Sequence, residues 1–177
     1  MDANFSRCLG AVLGWEGGFS NDAVDRGGAT NHGITIGTLA AWRGHEVTAE
    51  DVRALGQEEA EAIYRADYWR AACCHDLPGG LDLMVFDLAV NSGPGRAVRM
   101  LQEAVGSEID GAAGPATMRA VQAIPAEDAI RAVSHIRRAF YGTIVDSDPT
   151  QERFMRGWMN RLLDITAQAL AMAKVGG

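Results

Sequence analysis

Apolar residues recur at helical spacing along most of the chain. In the first segment, residues 3–16, the inward-facing positions fall within about 100° of arc at about 100° per residue, and they are Phe5, Leu9, Val12, Leu13 and Glu16. Glu16 therefore lies where this pattern would place a leucine. One acidic residue thus ends an otherwise apolar stripe.

Residues 17–33 break the helical pattern, because five glycines together with Asn and Asp residues favour turns or a short irregular hairpin. Helical patterning resumes at 35–44, and a short helix that opens at 48–51 leads into a longer one at 57–74. Further helical segments follow at 81–93, 95–106, 110–124 (a turn and then a helix), about 126–145 and 149–173. Thr48 is the expected N-cap of the short helix, and Pro115 lies in the first turn of the helix within 110–124. Roughly eight helices and at most one small hairpin predict a mainly α fold.

Length and charge limit the class of protein. A chain of 177 residues fits one domain, or one domain with a small closely packed extension, and it can bury a sizeable core. The net charge is −7 and the pI is near 5.0. We expect no nucleic-acid partner, because proteins that bind nucleic acid usually need a basic field to meet phosphate.

The metal-binding residue types show no ligand pattern. The three cysteines are unevenly placed, which predicts reduced core residues and no disulfide framework. The histidines show no HExxH spacing and no CxxC is present, so we expect neither a metal nor a cofactor and disfavour a zinc amidase. The N-terminus lacks the pattern of a secretory signal, and no apolar stretch approaches the length of a membrane span.

Glu16 is the strongest candidate for catalysis. A carboxyl group at the end of an apolar stripe is poorly solvated when charged, which favours the protonated form that a general acid needs. Asp25, nine residues on, is the natural second carboxylate of a glycosidase. The alternative is structural, because Glu16 could bond backbone donors in the glycine-rich turn, and Asp22 and Asp25 are ordinary turn residues.

The segment "EGGFSNDAVDRGGATNHGIT", residues 16–35, resembles the signature of the glycoside hydrolase family 108 muramidases, lysozyme-like enzymes of phages, prophages and some bacterial secretion systems. The resemblance continues through "IYRADYW" at 63–69, "FDLAVNSGPGRAVRMLQ" at 86–102 and "FMRGWMNRL" at 154–162. "DGAAGPAT", at 110–117, is similar to a turn of small peptidoglycan-binding domains.

This resemblance implies a lysozyme-like helical fold and hydrolysis of the β-1,4 bond between N-acetylmuramic acid and N-acetylglucosamine. It implies that residues 1–90 are the catalytic region and that 91–177 form a peptidoglycan-binding-like helical region packed on it as one compact unit. Glu16 is then the catalytic acid. Asp25 and Thr30 correspond to the pair that holds the attacking water in more distant phage-type lysozymes, although Thr30 follows Asp25 by five residues instead of six.

The second catalytic group and the stereochemistry remain open at this point. Asp22 is a rival to Asp25. A water held on the face opposite Glu16 would invert the anomeric centre, whereas a carboxylate close enough to attack directly would retain it.

Further residues are expected to contact the glycan, each with a structural alternative. Tyr64, Tyr68 and Trp69 fall at helical spacing, so they either pack in the core or line a saccharide cleft. Asn31 is either a substrate contact or a turn residue, and Asn91 is either near the cleft or part of a helix C-cap. We interpret Asp87, on the helix that ends at Asn91, as a buried structural acid.

Two other functions compete with a muramidase. One is a lytic transglycosylase, which closes an anhydro ring instead of admitting water, and the other is a non-catalytic peptidoglycan-binding protein of a phage particle. With no signal sequence, a muramidase would be synthesised in the cytoplasm and reach periplasmic peptidoglycan after release. It would be an endolysin that depends on a holin, or a muramidase that assists secretion, and we expect a monomer without stable membrane insertion.

Overall fold

The computed structural model describes residues 4–16, 19–20 and 28–175. In this part of the chain the α-helices are α1 Phe5–Leu13, α2 Ile36–Arg43, α3 Ala49–Arg53, α4 Gln57–Ile63, α5 Leu81–Ser92, α6 Pro94–Val105, α7 Pro115–Gln122, α8 Ala126–Ser147 and α9 Glu152–Val175. Short 3₁₀ turns occupy Cys74–Asp76 and Pro149–Gln151. The predicted mainly α fold is confirmed.

Helix α5 is the centre of the molecule. Every residue from Leu81 to Ala89 is buried, including two aspartates. A helix that is apolar around most of its circumference must be covered on all sides. Here α1, α6, α8 and α9 pack around α5, so the N-terminal and C-terminal parts of the chain share one core.

Within the described residues a single two-stranded hairpin lies at the end of the glycine-rich segment, as predicted. Strand β1, Thr30–Asn31, pairs antiparallel with β2, Ile34–Thr35. The connection uses left-handed backbone at His32 and Gly33, with φ of 50° and 73°. Such a tight turn favours glycine, which carries no Cβ to clash.

The predicted helix 57–74 differs from the structure in its second half. Helix α4 ends at Ile63, and the chain continues as a π-helical segment, Tyr64–Arg70. Its i→i+5 hydrogen bonding brings residues five apart onto the same side. Tyr64 and Trp69 can therefore both turn inward and contact Phe86 of α5, with ring centroids 6.3 and 5.3 Å away.

The "DGAAGPAT" turn is organised by one buried amide. The Gln102 side chain on α6 is 1% exposed, and its Nε2 donates to Asp110 Oδ1 at 2.7 Å and is 3.1 Å from Thr117 Oγ1. Its Oε1 accepts from the Gly111 backbone N–H at 2.8 Å. The turn is thereby fastened to α6 before α7 begins at Pro115.

The cysteines agree with the sequence prediction. All three lie in the described residues and are free, with Cys8 and Cys74 buried and Cys73 partly buried. Burial raises the pKa of the Cys8 and Cys74 thiols. Among the described residues, no helix combines the length and apolar character needed to cross a membrane.

Gly80, which precedes α5, makes a close approach that gives a first prediction. Its φ is +89°, and a Cβ there would collide with the backbone carbonyl oxygen of Ala169 on α9. We expect Gly80→Ala to lower the free energy of unfolding by about 1 kcal/mol or more through strain at a positive φ and by roughly 1–3 kcal/mol more through the steric overlap. Thermal unfolding measures the total loss.

Gly106→Ala is the control for adding a methyl group at a positive φ, although Gly106 is left-handed helical, with ψ 28°, whereas Gly80 has ψ −46°. Gly106 has a φ of +69°, and a Cβ there would meet nothing within 4 Å. It should therefore show only the strain. Equal losses of stability in the two variants would mean that α5 and α9 do not approach closely at Gly80.

Candidate active site

Glu16 lies one turn beyond the end of α1. The helix ends at Leu13, three residues earlier than the apolar stripe predicts. The chain continues in turns, in which the Glu16 N–H donates to the Leu13 carbonyl at 3.2 Å. The Glu16 side chain still turns toward the body of the protein and is 21% exposed. A carboxyl group in this position is both supported by protein and open to a ligand.

Glu16 is paired with an arginine from the far end of the chain. Arg161 of α9 donates from Nη1 to Glu16 Oε1 at 2.8 Å and from Nε to Asp87 Oδ1 at 2.8 Å. The Arg161 side chain is 11% exposed. Burial by itself would lower the pKa of Arg161, but the charges and hydrogen bonds of Asp87 and Glu16 raise it overall, so the guanidinium stays charged.

Asp87 anchors this arginine from within the core. The Asp87 side chain is completely buried and also accepts from Arg137 Nη1 at 2.6 Å. Arg137, equally buried, donates from Nε to the Tyr141 hydroxyl at 2.7 Å. The interpretation of Asp87 as a buried structural acid is confirmed, and this acid fixes the partner of Glu16.

The hairpin closes over Glu16 from the other side. A Cβ on Gly33 would meet Glu16 Oε2 at 2.9 Å and would overlap the Tyr64 hydroxyl. That hydroxyl donates to the His32 carbonyl at 2.8 Å, which ties the hairpin turn to the π-helical segment. Burial, then the charge of Glu16, raises the pKa of Tyr64, so the phenol keeps the proton that it donates.

The close approach at Gly33 yields a second prediction. Gly33→Ala should lower turnover roughly 10- to 100-fold, because the added methyl must displace Glu16, Tyr64 or the turn itself. Its φ of +73° also predicts a loss of about 1 kcal/mol of stability. Initial rates of cell-wall hydrolysis, with thermal unfolding in parallel, measure the two effects separately.

Gly44→Ala is the control, since Gly44 has nearly the same φ, +75°, and a Cβ there meets nothing within 4 Å. It should lose similar stability but keep its turnover. A Gly33→Ala variant as active as Gly44→Ala would show that the hairpin does not constrain Glu16.

The other predicted contact residues have varied surroundings. Trp69 is completely buried between Phe5 and Phe86, so it is part of the core, as its helical spacing allowed. Tyr64 is 1% exposed. Tyr68 is partly buried beside it, with ring centroids 5.5 Å apart, and burial raises its pKa.

The structure also shows the surroundings of the two predicted asparagines and of Thr30. Asn31 is 8% exposed and donates to the Val52 and Arg53 carbonyls at 3.1 and 3.2 Å, which holds the hairpin against α3. Asn91 is exposed near the end of α5 and accepts from the Ser92 hydroxyl at 3.3 Å. Thr30, partly buried, begins β1 and bonds the Ser20 backbone in both directions at 2.8 Å.

Asp25 and its rival Asp22 lie outside the described residues. The structure therefore brings together Glu16, the hairpin and Tyr64 from the predicted set. Within the described residues, no group of three or more His, Cys, Asp or Glu side chains could hold a metal ion.

Arg161 is the site residue that sequence reasoning missed. A signal existed, because Arg161 is next to the inward positions Leu162 and Ile165 of an amphipathic helix. An arginine so close to a buried face requires a carboxylate partner. The sequence does not reveal which of its acids that is.

Comparisons with known proteins identify the family and the fold of the chain. The model of the family described as Glycosyl hydrolase 108 matches residues 9–93, and that of a predicted peptidoglycan domain matches 96–163. The chain is similar to the solved structure of SagA from Brucella abortus, with 37% identity, a TM-score of 0.88 and 98% of each chain covered.

A comparison with curated proteins gave no match. The lysozyme-like helical fold implied by the sequence resemblance is confirmed by the likeness to SagA. The chain therefore belongs to the glycosyl hydrolase 108 family, as a glycosidase with a peptidoglycan domain in its C-terminal part.

Proposed function

We propose that the protein is an N-acetylmuramidase that hydrolyses the β-1,4 bond between N-acetylmuramic acid and N-acetylglucosamine, with Glu16 as general acid. The observation that carries this proposal is the position of Glu16, 21% exposed beyond the end of α1 and in contact with both Arg161 and the hairpin. A general acid must be fixed within hydrogen-bonding reach of the leaving oxygen.

In this mechanism Glu16 transfers its proton to the glycosidic oxygen as the bond to the anomeric carbon breaks. The carboxylate that forms lies 2.8 Å from the Arg161 guanidinium, which stabilises the new negative charge. Arg161 is a positioning residue, because it acts through Glu16 and not on the substrate. Asp87 holds Arg161 in turn.

The attacking water would be held by Asp25 and Thr30, and the reaction would then invert the anomeric centre. Asp25→Asn should lower turnover by about 10²-fold or more, whereas Asp22→Asn should leave it within a few-fold of wild type. Initial rates on purified sacculi measure both effects. The opposite ranking would assign the second catalytic group to Asp22. Retention of the anomeric configuration in the first product would mean that a carboxylate, and not a water molecule, attacks the anomeric carbon.

Product analysis tests the bond specificity. Mass spectrometry of the released fragments should find reducing N-acetylmuramic acid ends. Anhydro-muramyl ends would instead identify a lytic transglycosylase, and reducing N-acetylglucosamine ends would identify a different glycosidase. A protein that binds sacculi but releases no fragments would be the non-catalytic alternative.

The regions 1–90 and 91–177 are proposed to act as one unit. In support, α5 packs against α1 and also against α8 and α9, so the two regions share a core instead of being joined by a linker. The proposed enzyme is a monomer that meets peptidoglycan after release through a holin or another release system.

A further inference from the structure

A basic groove lies between α8 and α9, away from Glu16. Arg131, His135 and Arg138 follow one another at helical spacing on α8, and Met159 and Leu163 face them from α9. The groove has a volume of about 260 Å³. Leu163 is 63% exposed, the largest exposed fraction among the large hydrophobic side chains of the described residues.

The bottom of the groove is already bonded within the protein. The Ser134 hydroxyl lies 3.0 Å from that of Thr166, and the Thr166 hydroxyl donates to the Leu162 carbonyl at 2.6 Å. These two hydroxyls hold the helices together. The arginines and the exposed leucine at the rim are what a ligand would meet.

The two arginines of the groove differ from the arginines that are ion-paired within the protein. Arg43, Arg137 and Arg161 each contact a carboxylate, at 2.6 to 2.8 Å at their closest. Arg131 and Arg138 are exposed, have no carboxylate within 4.0 Å among the described residues, and no acidic residue lines the groove there. In a chain of net charge −7 this is a local positive site beside an apolar surface, and the nearest acids along α8 are Glu127 and Asp128, one turn before Arg131.

We propose that this groove binds the carboxylate-bearing peptide stems of peptidoglycan. The proposal rests on the proposed function for the identity of the polymer, and it adds which part of the polymer the C-terminal region takes. The stem carries free carboxylates on its glutamate, diamino acid and terminal alanine, which match Arg131 and Arg138. Its alanine methyl groups match the exposed Leu163 surface.

The location of the groove suits a polymer with side branches. The peptidoglycan domain matched at 96–163 includes all of α8 and the first half of α9. Leu163 is two residues beyond Arg161, about 200° around the helix axis. A stem in the groove would therefore leave the glycan free to reach Glu16 on another face of α9.

Calorimetry with a peptide alone tests this proposal. The probe is the N-acetylated stem tetrapeptide of alanine, γ-linked glutamate, diaminopimelate and alanine. Wild-type protein should bind it with an affinity that falls as salt is raised, and Arg131→Gln/Arg138→Gln should bind it about tenfold more weakly. Arg7→Gln/Arg119→Gln, which removes two exposed guanidinium groups from α1 and α7, should bind as wild type does.

Two further probes separate other occupants. The same peptide with its carboxyl groups amidated should bind wild-type protein no more tightly than the acid peptide binds Arg131→Gln/Arg138→Gln. Neutral chitotetraose should bind the wild type and both double variants equally. Equal binding of the acid peptide by wild type and Arg131→Gln/Arg138→Gln would overturn the proposal. So would groove-dependent binding to phosphatidylglycerol vesicles with no binding of the peptide.

The peptide probe contains no glycosidic bond, so its result is independent of catalysis. If Glu16→Gln retained lysis while the peptide still required the groove, the proposed mechanism would fail and this inference would stand. If Glu16→Gln lost lysis and the peptide did not bind, the proposed mechanism would stand and this inference would fail.

Discussion

Glu16→Gln is expected to lower the rate of cell-wall lysis by about 10²- to 10⁴-fold while the fold is kept. An amide has no proton of suitable acidity to give to the leaving oxygen. It can still accept the Arg161 Nη1 hydrogen bond that Glu16 Oε1 accepts at 2.8 Å, so the packing around it should persist. Turbidity loss of outer-membrane-permeabilised Gram-negative cells measures the rate, and circular dichroism checks the fold.

Glu108→Gln provides the control for loss of one carboxylate, because Glu108 is exposed in the turn after α6. It should lyse cells as wild type does. The key comparison is made between folded proteins at equal concentration, with sacculus binding measured for each. Full lysis by a folded Glu16→Gln would mean that Glu16 only ties down the turn, and the proposed mechanism would have to move to another carboxylate.

The sequence predicts Glu16 because the information is local. An acid at the end of a helical stripe, followed by glycines, can be recognised within residues 3–33. Gly33 belongs to the same segment, and its left-handed φ is of the kind that glycine favours. What the sequence does not give is the contact of Gly33 with Glu16, which depends on how the hairpin folds back.

Arg161 illustrates a different limit. Its partners Glu16 and Asp87 are 145 and 74 residues away along the chain. Helical periodicity shows which residues share a face of one helix, but it carries no information about which helices meet. Only the packing of α9 against α5 brings these three charges together.

The π-helical segment was missed for a similar reason. Residues 57–74 have the composition of one helix, and periodicity does not distinguish an α-helix from one that widens for a few residues. The deviation lets Tyr64 and Trp69 contact Phe86 together, which is a requirement of the core and not of the segment. Tertiary packing overrides the local pattern there.

Asp87→Asn should be the most destabilising conservative substitution in the network beside Glu16. Asp87 is completely buried and is bonded to Arg137 at 2.6 Å and to Arg161 at 2.8 Å. An asparagine would accept from one guanidinium but turn its NH₂ group toward the other, donor against donor. Breaking a buried pair from one side costs roughly 3–5 kcal/mol, because the remaining charge is left uncompensated.

For a chain of this length, such a loss corresponds to a decrease in Tm of about 6–20 °C. Glu59→Gln is the control, since both Glu59 carboxylate oxygens also accept from guanidinium nitrogens, Nε and Nη2 of Arg43 at 2.9 and 2.7 Å, but the Glu59 side chain is 31% exposed. It should cost less than about 1 kcal/mol. Scanning calorimetry of both variants tests the difference, and equal losses would contradict a buried network.

The same Asp87→Asn variant should also have a lower turnover rate at temperatures where it is folded. Without the Asp87 carboxylate, Arg161 loses the partner that aims its Nη1 at Glu16, so the acid is held less firmly. We expect kcat to fall about tenfold or more with little change in KM, since the residue does not contact the glycan. Wild-type kcat in the folded variant would mean that Asp87 serves stability alone, and that Glu16 is positioned by the hairpin and its own turn.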